Sequence, residues 1–161
     1  MKRLLLIALA AGAAACASSP ASTATTPSTA ATPGGGATGA SSARAAVETF
    51  LASVRAQDVQ ATSAIWGTKS GPARDSDKMN RTQLEQRVLI MQCFLKHDRF
   101  RIVNDVPAAE GKRTVRVELT NAGRTRQTNF TTVEGPKSRW YVESADLEPV
   151  KEFCRDVPNP G

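Results

Sequence analysis

From Ala17 to Ser42 every residue is Ala, Ser, Thr, Pro or Gly, and this stretch limits where a fold can lie. It has no charge, no aromatic ring and no large aliphatic side chain, so it cannot bury enough apolar surface to offset the entropy lost on ordering it. Composition therefore predicts a tether over residues 16–42, with a random-coil span of roughly 30 Å, and places the folded part after it.

Ahead of the tether, Lys2 and Arg3 precede an apolar run from Leu4 to Ala11, and small residues lead on to Cys16. These are the parts of a secretory signal, expected over residues 1–15. The stretch from Leu4 to Ala15 falls short of the ~20 residues a membrane-spanning helix needs. Ala13, Ala14, Ala15 and Cys16 resemble a bacterial lipobox, whose cysteine is acylated and becomes the mature N-terminus; Ala13 stands where that pattern prefers Leu. The resemblance implies lipidation of Cys16, by palmitate among other chains, and attachment to a lipid bilayer through the acyl anchor. With the non-acidic Ala17 next, it also implies sorting to the periplasmic or outer face of an outer membrane.

Residues 43–156 are the length of one domain with a single core, followed by a short tail at 157–161. Loss of Lys2 and Arg3 with the signal takes the net charge from +6 to +4. Ser42 is placed to cap a helix whose apolar stripe is Ala46, Val47, Phe50, Leu51 and Val54. Asp58 opens a second, shorter helix with Val59, Ile65 and Trp66, stopped at Gly67. A loop is expected from Thr68 to Met79. Thr82 and Glu85 have the spacing of a capping box for a third helix carrying Leu84, Val88, Met91 and Leu95.

Beyond His97 the period changes from helix-like to strand-like. Phe100 and Ile102 alternate with polar residues, as do Val115, Val117 and Leu119. Turn residues at Glu110 with Gly111, Asn121 to Gly123, and Glu134 to Pro136 divide the rest into four antiparallel strands, the last holding Trp140, Tyr141 and Val142. The expected class is α+β, with N-terminal helices packed on one face of a curved antiparallel sheet.

This order resembles the cone-shaped α+β superfamily of nuclear transport factor 2-like domains, which includes many bacterial lipoproteins of unknown function. Phe50 and Leu51 in the first helix, the Gln57 and Asp58 turn, Ile65 and Trp66, and the meander closing at Trp140 carry the resemblance. A cystatin-like helix-on-sheet fold has a similar order. The superfamily includes isomerases and dehydratases with Asp, His or Tyr in the cone, and domains that dimerise through the sheet, so both an enzyme and a homodimer are implied possibilities.

The residues for chemistry are few. His97 is the only histidine and stands near a helix C-terminus, where the dipole favours its charged form. Asp58 has a capping role. Tyr141 and Glu143 face away from Trp140 and Val142, hence outward if the tryptophan face is the core. No metal site, phosphate loop or cofactor motif is present in the sequence. Arg126 shares a strand face with Thr128 and Phe130 and could grip an anion inside the cone, or snorkel to water. Arg126, Trp66 and Trp140 are the candidate ligand-binding residues.

Nine basic residues crowd the sheet region: Arg99, Arg101, Lys112, Arg113, Arg116, Arg124, Arg126, Lys137 and Arg139. They suit an anionic envelope component or an acidic protein partner, or form a solvated face. Nucleic acid is not expected outside the cytoplasm. Cys93 and Cys154 form a disulfide in an oxidising compartment, or Cys93 is a buried thiol. The sequence thus points to a membrane-tethered envelope lipoprotein with a non-enzymatic interaction or small-ligand-binding domain. The alternative is a small-molecule isomerase or hydrolase of the same fold, using a cavity carboxylate.

Overall fold

The computed structural model describes residues 38–155. The expected signal at 1–15, the expected acylation site Cys16, most of the expected tether, Asp156 and the expected tail at 157–161 lie outside the described residues. Helix α1 spans Ala43–Arg55, and Ser42 caps it, its Oγ accepting from the Ala45 amide at 3.1 Å. Its stripe, Ala46, Val47, Phe50, Leu51 and Val54, is buried against the sheet. Gln57 turns the chain at φ 54°. Asp58 then caps α2 (Val59–Ile65), accepting from the Ala61 amide at 2.9 Å.

The segment expected to be a loop from Thr68 contains a small hairpin instead, β1 (Gly67–Thr68) with β2 (Gly71–Pro72), followed by a 3-10 turn over Ala73–Asp75. Its tightness depends on glycine: a Cβ at Gly67 would collide with the Gly71 carbonyl, and Gly71 sits at φ 122°. Helix α3 (Arg81–Phe94) begins two residues earlier than the Thr82 and Glu85 spacing predicts. Asn80 is the cap; its Oδ1 accepts from the Gln83 amide at 2.9 Å, and Gln83 Oε1 accepts from the Asn80 amide at 3.1 Å. With those donors satisfied, Glu85 pairs with Arg81 at 2.7 Å.

Four antiparallel strands follow in sequence order: β3 (Arg99–Pro107), β4 (Arg113–Asn121), β5 (Arg124–Gly135) and β6 (Arg139–Ala145). The sheet does not close into a barrel, and the class is mixed α+β as expected. Register shifts interrupt the β3–β4 pairing at Val103 and the β5–β6 pairing at Glu143, the kind of extra residue that bends a strand. Val115, Val117, Leu119, Phe130, Thr128, Thr132 and Val142 fall on the inner face, under α1.

Tyr141 corrects the expectation that it would face water: it is 2 % exposed. Period-2 geometry does place it on the outer face, but residues 38–40 and β1 cover that end. Ala40 exchanges two backbone hydrogen bonds with Trp140, both 2.8 Å. Thr38 Oγ1 lies 3.2 Å from the Tyr141 hydroxyl. Residues 38–42 therefore belong to the fold, which includes residues ahead of the boundary at 43 drawn from composition.

The C-terminal 3-10 segment Glu148–Cys154 closes the remaining end of the core with Val150 and Phe153, both fully buried. A disulfide joins Cys154 to Cys93 on α3, across a sequence separation of 61. No helix among the described residues is long and apolar enough to cross a membrane.

Candidate functional site

The space between α1 and the sheet is filled with side chains. Phe50 and Phe130 meet edge to face with ring centroids 6.0 Å apart, and Leu51, Val115, Val117, Leu119, Val150 and Phe153 pack around them with no exposed surface. Such packing leaves little room for a ligand without displacing part of the core. A buried polar cluster lies between the helices: Ser53 Oγ is 2.9 Å from Thr62 Oγ1, to which Gln92 Nε2 donates at 3.1 Å. It links α1, α2 and α3 and is satisfied internally.

The three candidate ligand residues do not come together. Trp66 Nε1 donates to the Glu143 carbonyl at 3.2 Å while its backbone bridges to Val142, and the backbone of Trp140 pairs with Ala40. Both indoles are half-buried against the core. Arg126 stands opposite Leu119, eight residues along β5 from Glu134, the partner of Trp140, a strand distance of roughly 27 Å. Its side chain is 44 % exposed and its Nε lies 2.7 Å from Glu152 Oε1. The inner end of that strand is occupied by Val150 and Phe153, so Arg126 turns outward and pairs with Glu152 instead of reaching into the interior.

His97 also departs from its expected state. It is 4 % exposed, with Nδ1 donating to the Leu95 carbonyl at 2.8 Å and the ring edge-on to Phe100. Burial pushes its pKa below the ordinary histidine value and Arg55 adds to this, against opposing pulls from the Leu95 carbonyl and Asp98. The neutral ring leaves Nε2 buried without a partner. Desolvation here outweighs the helix dipole, which is screened and short-ranged.

The basic residues of the sheet are largely matched. Arg101 pairs with Glu118 at 3.1 Å, Lys112 with Glu143 at 2.8 Å and Arg113 with Asp105 at 2.6 Å. Arg139 donates to the Thr38 carbonyl at 3.2 Å and the Gly39 carbonyl at 2.5 Å, holding the N-terminal segment in place. These contacts spread the positive charge among local partners, so the sheet is not a uniform anion-binding surface.

A different surface stands out on α3. Leu84 and Val88 are buried and Met91 half-buried, whereas Leu89 and Ile90 are 55 % and 53 % exposed. Leu89 is followed four residues on by Cys93, and Ile90 by Phe94, so these side chains form one outward strip. The strip runs into an open hollow of about 370 Å³ lined by Phe94, Leu147, Glu148, Lys151, Cys154 and Arg155. The sequence reading missed it because the spacing of Leu84, Val88, Met91 and Leu95 already accounted for the apolar residues of this helix. The available signal was the unbroken run Val88 to Met91, which is wider than one stripe.

A second hollow, about 320 Å³, lies between α2 and the start of α3, where Arg74 and Arg81 are each paired with a neighbouring carboxylate. No cluster of three or more metal-ligating side chains occurs among the described residues. No family model matches the chain, and no curated protein or solved structure matches it significantly.

Proposed function

We propose that this chain is an exported lipoprotein, acylated at Cys16, whose domain is a non-enzymatic interaction module of the cell envelope with a nuclear transport factor 2-like fold. The observation that carries the reading is the filled interior. Phe50, Phe130, Val150 and Phe153 occupy the space in which an enzyme of this architecture would hold substrate, which leaves recognition to the surface. The disulfide between Cys93 and Cys154 suits an oxidising compartment, in line with export. The signal-like start and lipobox-like residues supply the anchor.

Two measurements test this reading. Metabolic labelling with an alkyne fatty acid, followed by intact-mass analysis, should find the acyl group on the native chain and none on Cys16→Ser; label that survives the substitution rejects the anchor. Thermal unfolding against a panel of small carbonyl, ester and anionic compounds should leave Tm unchanged. A compound that raises Tm by several degrees would move the assignment to the isomerase or hydrolase alternative.

A further inference from the structure

We infer that the outer strip of α3 is a docking surface for an anionic lipid bilayer. This rests on the acyl-anchor reading for its proximity to lipid, and on the structure for its chemistry. Leu89 and Ile90 are the two most exposed large aliphatic side chains of the described residues, adjacent on one helix and continuous with Phe94. Exposed aliphatics grouped with cations are the arrangement of an interfacial surface, in which the apolar tips enter the headgroup boundary and the cations meet lipid phosphate.

Arg87 lies on α3 three residues before Ile90, and Lys151 and Arg155 line the hollow beside Phe94. Glu148 is the only carboxylate in that hollow, and it is paired with Lys151. Among the described residues neither Arg87 nor Arg155 has an ion-pair partner, unlike Arg101, Lys112 and Arg113 of the sheet. The positive charge left uncompensated on this side therefore borders the exposed aliphatics, which fits an acidic lipid surface. The disulfide ties the two halves of the surface together, since Cys93 belongs to the α3 strip and Cys154 to the hollow.

The apolar contact is small, and it need not bind alone. Residues 16–37, read from composition as a tether, would have a reach of roughly 25 Å by the random-coil estimate and would hold the domain near the bilayer at an effective concentration on the order of millimolar, enough for a weak surface to stay seated.

Hydroxyl-radical footprinting of the full chain, read by mass spectrometry at single side chains, tests the surface directly. The chain is placed with vesicles of mixed phosphatidylglycerol and phosphatidylcholine, and with phosphatidylcholine alone. Oxidation of Leu89, Ile90 and Phe94 should fall at least about threefold on the anionic vesicles and recover at high salt. Val103 and Val106, exposed on β3, should stay equally oxidised throughout. Arg87→Glu should restore oxidation of Ile90 with an unchanged circular-dichroism spectrum. Equal oxidation of Leu89 and Ile90 on both vesicle types overturns the inference, as does protection that grows with protein density, which would mean a second copy covers the strip. Intact mass reports the acyl group separately: protection without it sinks only the anchor, and an acylated chain without protection sinks only the docking surface.

Discussion

The Tyr141 ring lies directly against Gly39: a Cβ built on Gly39 would stand 2.8 Å from the ring carbon Cζ and 2.9 Å from Arg139 Cβ. A Cβ built on Gly135 would stand 2.9 Å from the Cε2 of the same ring. The aromatic therefore sits between two positions that only glycine can fill, and Gly39 is also at φ 69°.

Gly39→Ala adds both a clash and an unfavourable backbone conformation, and should lower unfolding stability by about 2 kcal/mol, measured by urea denaturation. Tyr141→Phe, which loses only the hydroxyl contact with Thr38, should cost about 1 kcal/mol. Equal stability of Gly39→Ala and wild type would mean that residues 38–40 do not hold Tyr141 in solution.

Removing the disulfide should have the largest effect. The bond closes a 61-residue separation that contains all four strands of the main sheet, for which chain entropy gives about 4 kcal/mol. Cys93→Ser should lower Tm by roughly 10 °C or more in a domain of this size. Cys154→Ser should match it, and the double variant should add little, because the two changes remove one interaction. Unequal single variants would show that one cysteine contributes through packing.

Acid sensitivity should come from His97. Its folded pKa is lowered, so the unfolded chain takes up a proton that the folded domain resists. Stability is therefore full above about pH 6.5 and falls as the pH drops below that value, until the folded pKa is passed. The slope cannot exceed about 1.4 kcal/mol per pH unit for one group. Urea midpoints at several pH values should show this decline in wild type and a flatter profile in His97→Gln. A wild-type profile that rises toward acid would reverse the assignment of a neutral ring.

The turn joining β4 and β5 can be improved. Ala122 and Gly123 occupy φ 49° and 78°, the left-handed pair of a tight hairpin, where Ala is a poor first residue. Ala122→Asn should stabilise the domain by about 0.5 kcal/mol, and it retains the amide that donates to Asp98 Oδ2 at 2.8 Å. A loss of stability would indicate that the side chain disturbs the Asp98 contact.

These positions separate what was legible in the sequence from what was not. Ser42 and Asp58 cap their helices as their spacing predicts, and the β-hairpin turns fall where Gly, Asn and Pro place them, because these are local effects. Tyr141 and His97 depart from the sequence expectation for a shared reason, whereas Arg126 takes the outward course that was one of its two alternatives. Each of the two is buried where a segment distant in sequence arrives: residues 38–40 over Tyr141, and the α1 end near His97. Periodicity assigns a side chain to a face but carries no information on what arrives to cover that face. The α3 strip escaped because a helix that already satisfies its stripe gives no reason to ask about the residues beside it.

The pairing of Ala40 with Trp140 also bears on how the domain carries mechanical load. A pull applied through the leading chain meets, before α1, two backbone hydrogen bonds to β6 and the grip of Arg139 on the Thr38 and Gly39 carbonyls. Force is thus handed to a strand of the sheet and shared along its ladder, and α1 is spared from unwinding from its first turn. At the other end the covalent link through Cys154 does the same for the last segment. A domain fastened in this way resists fraying from either end under load.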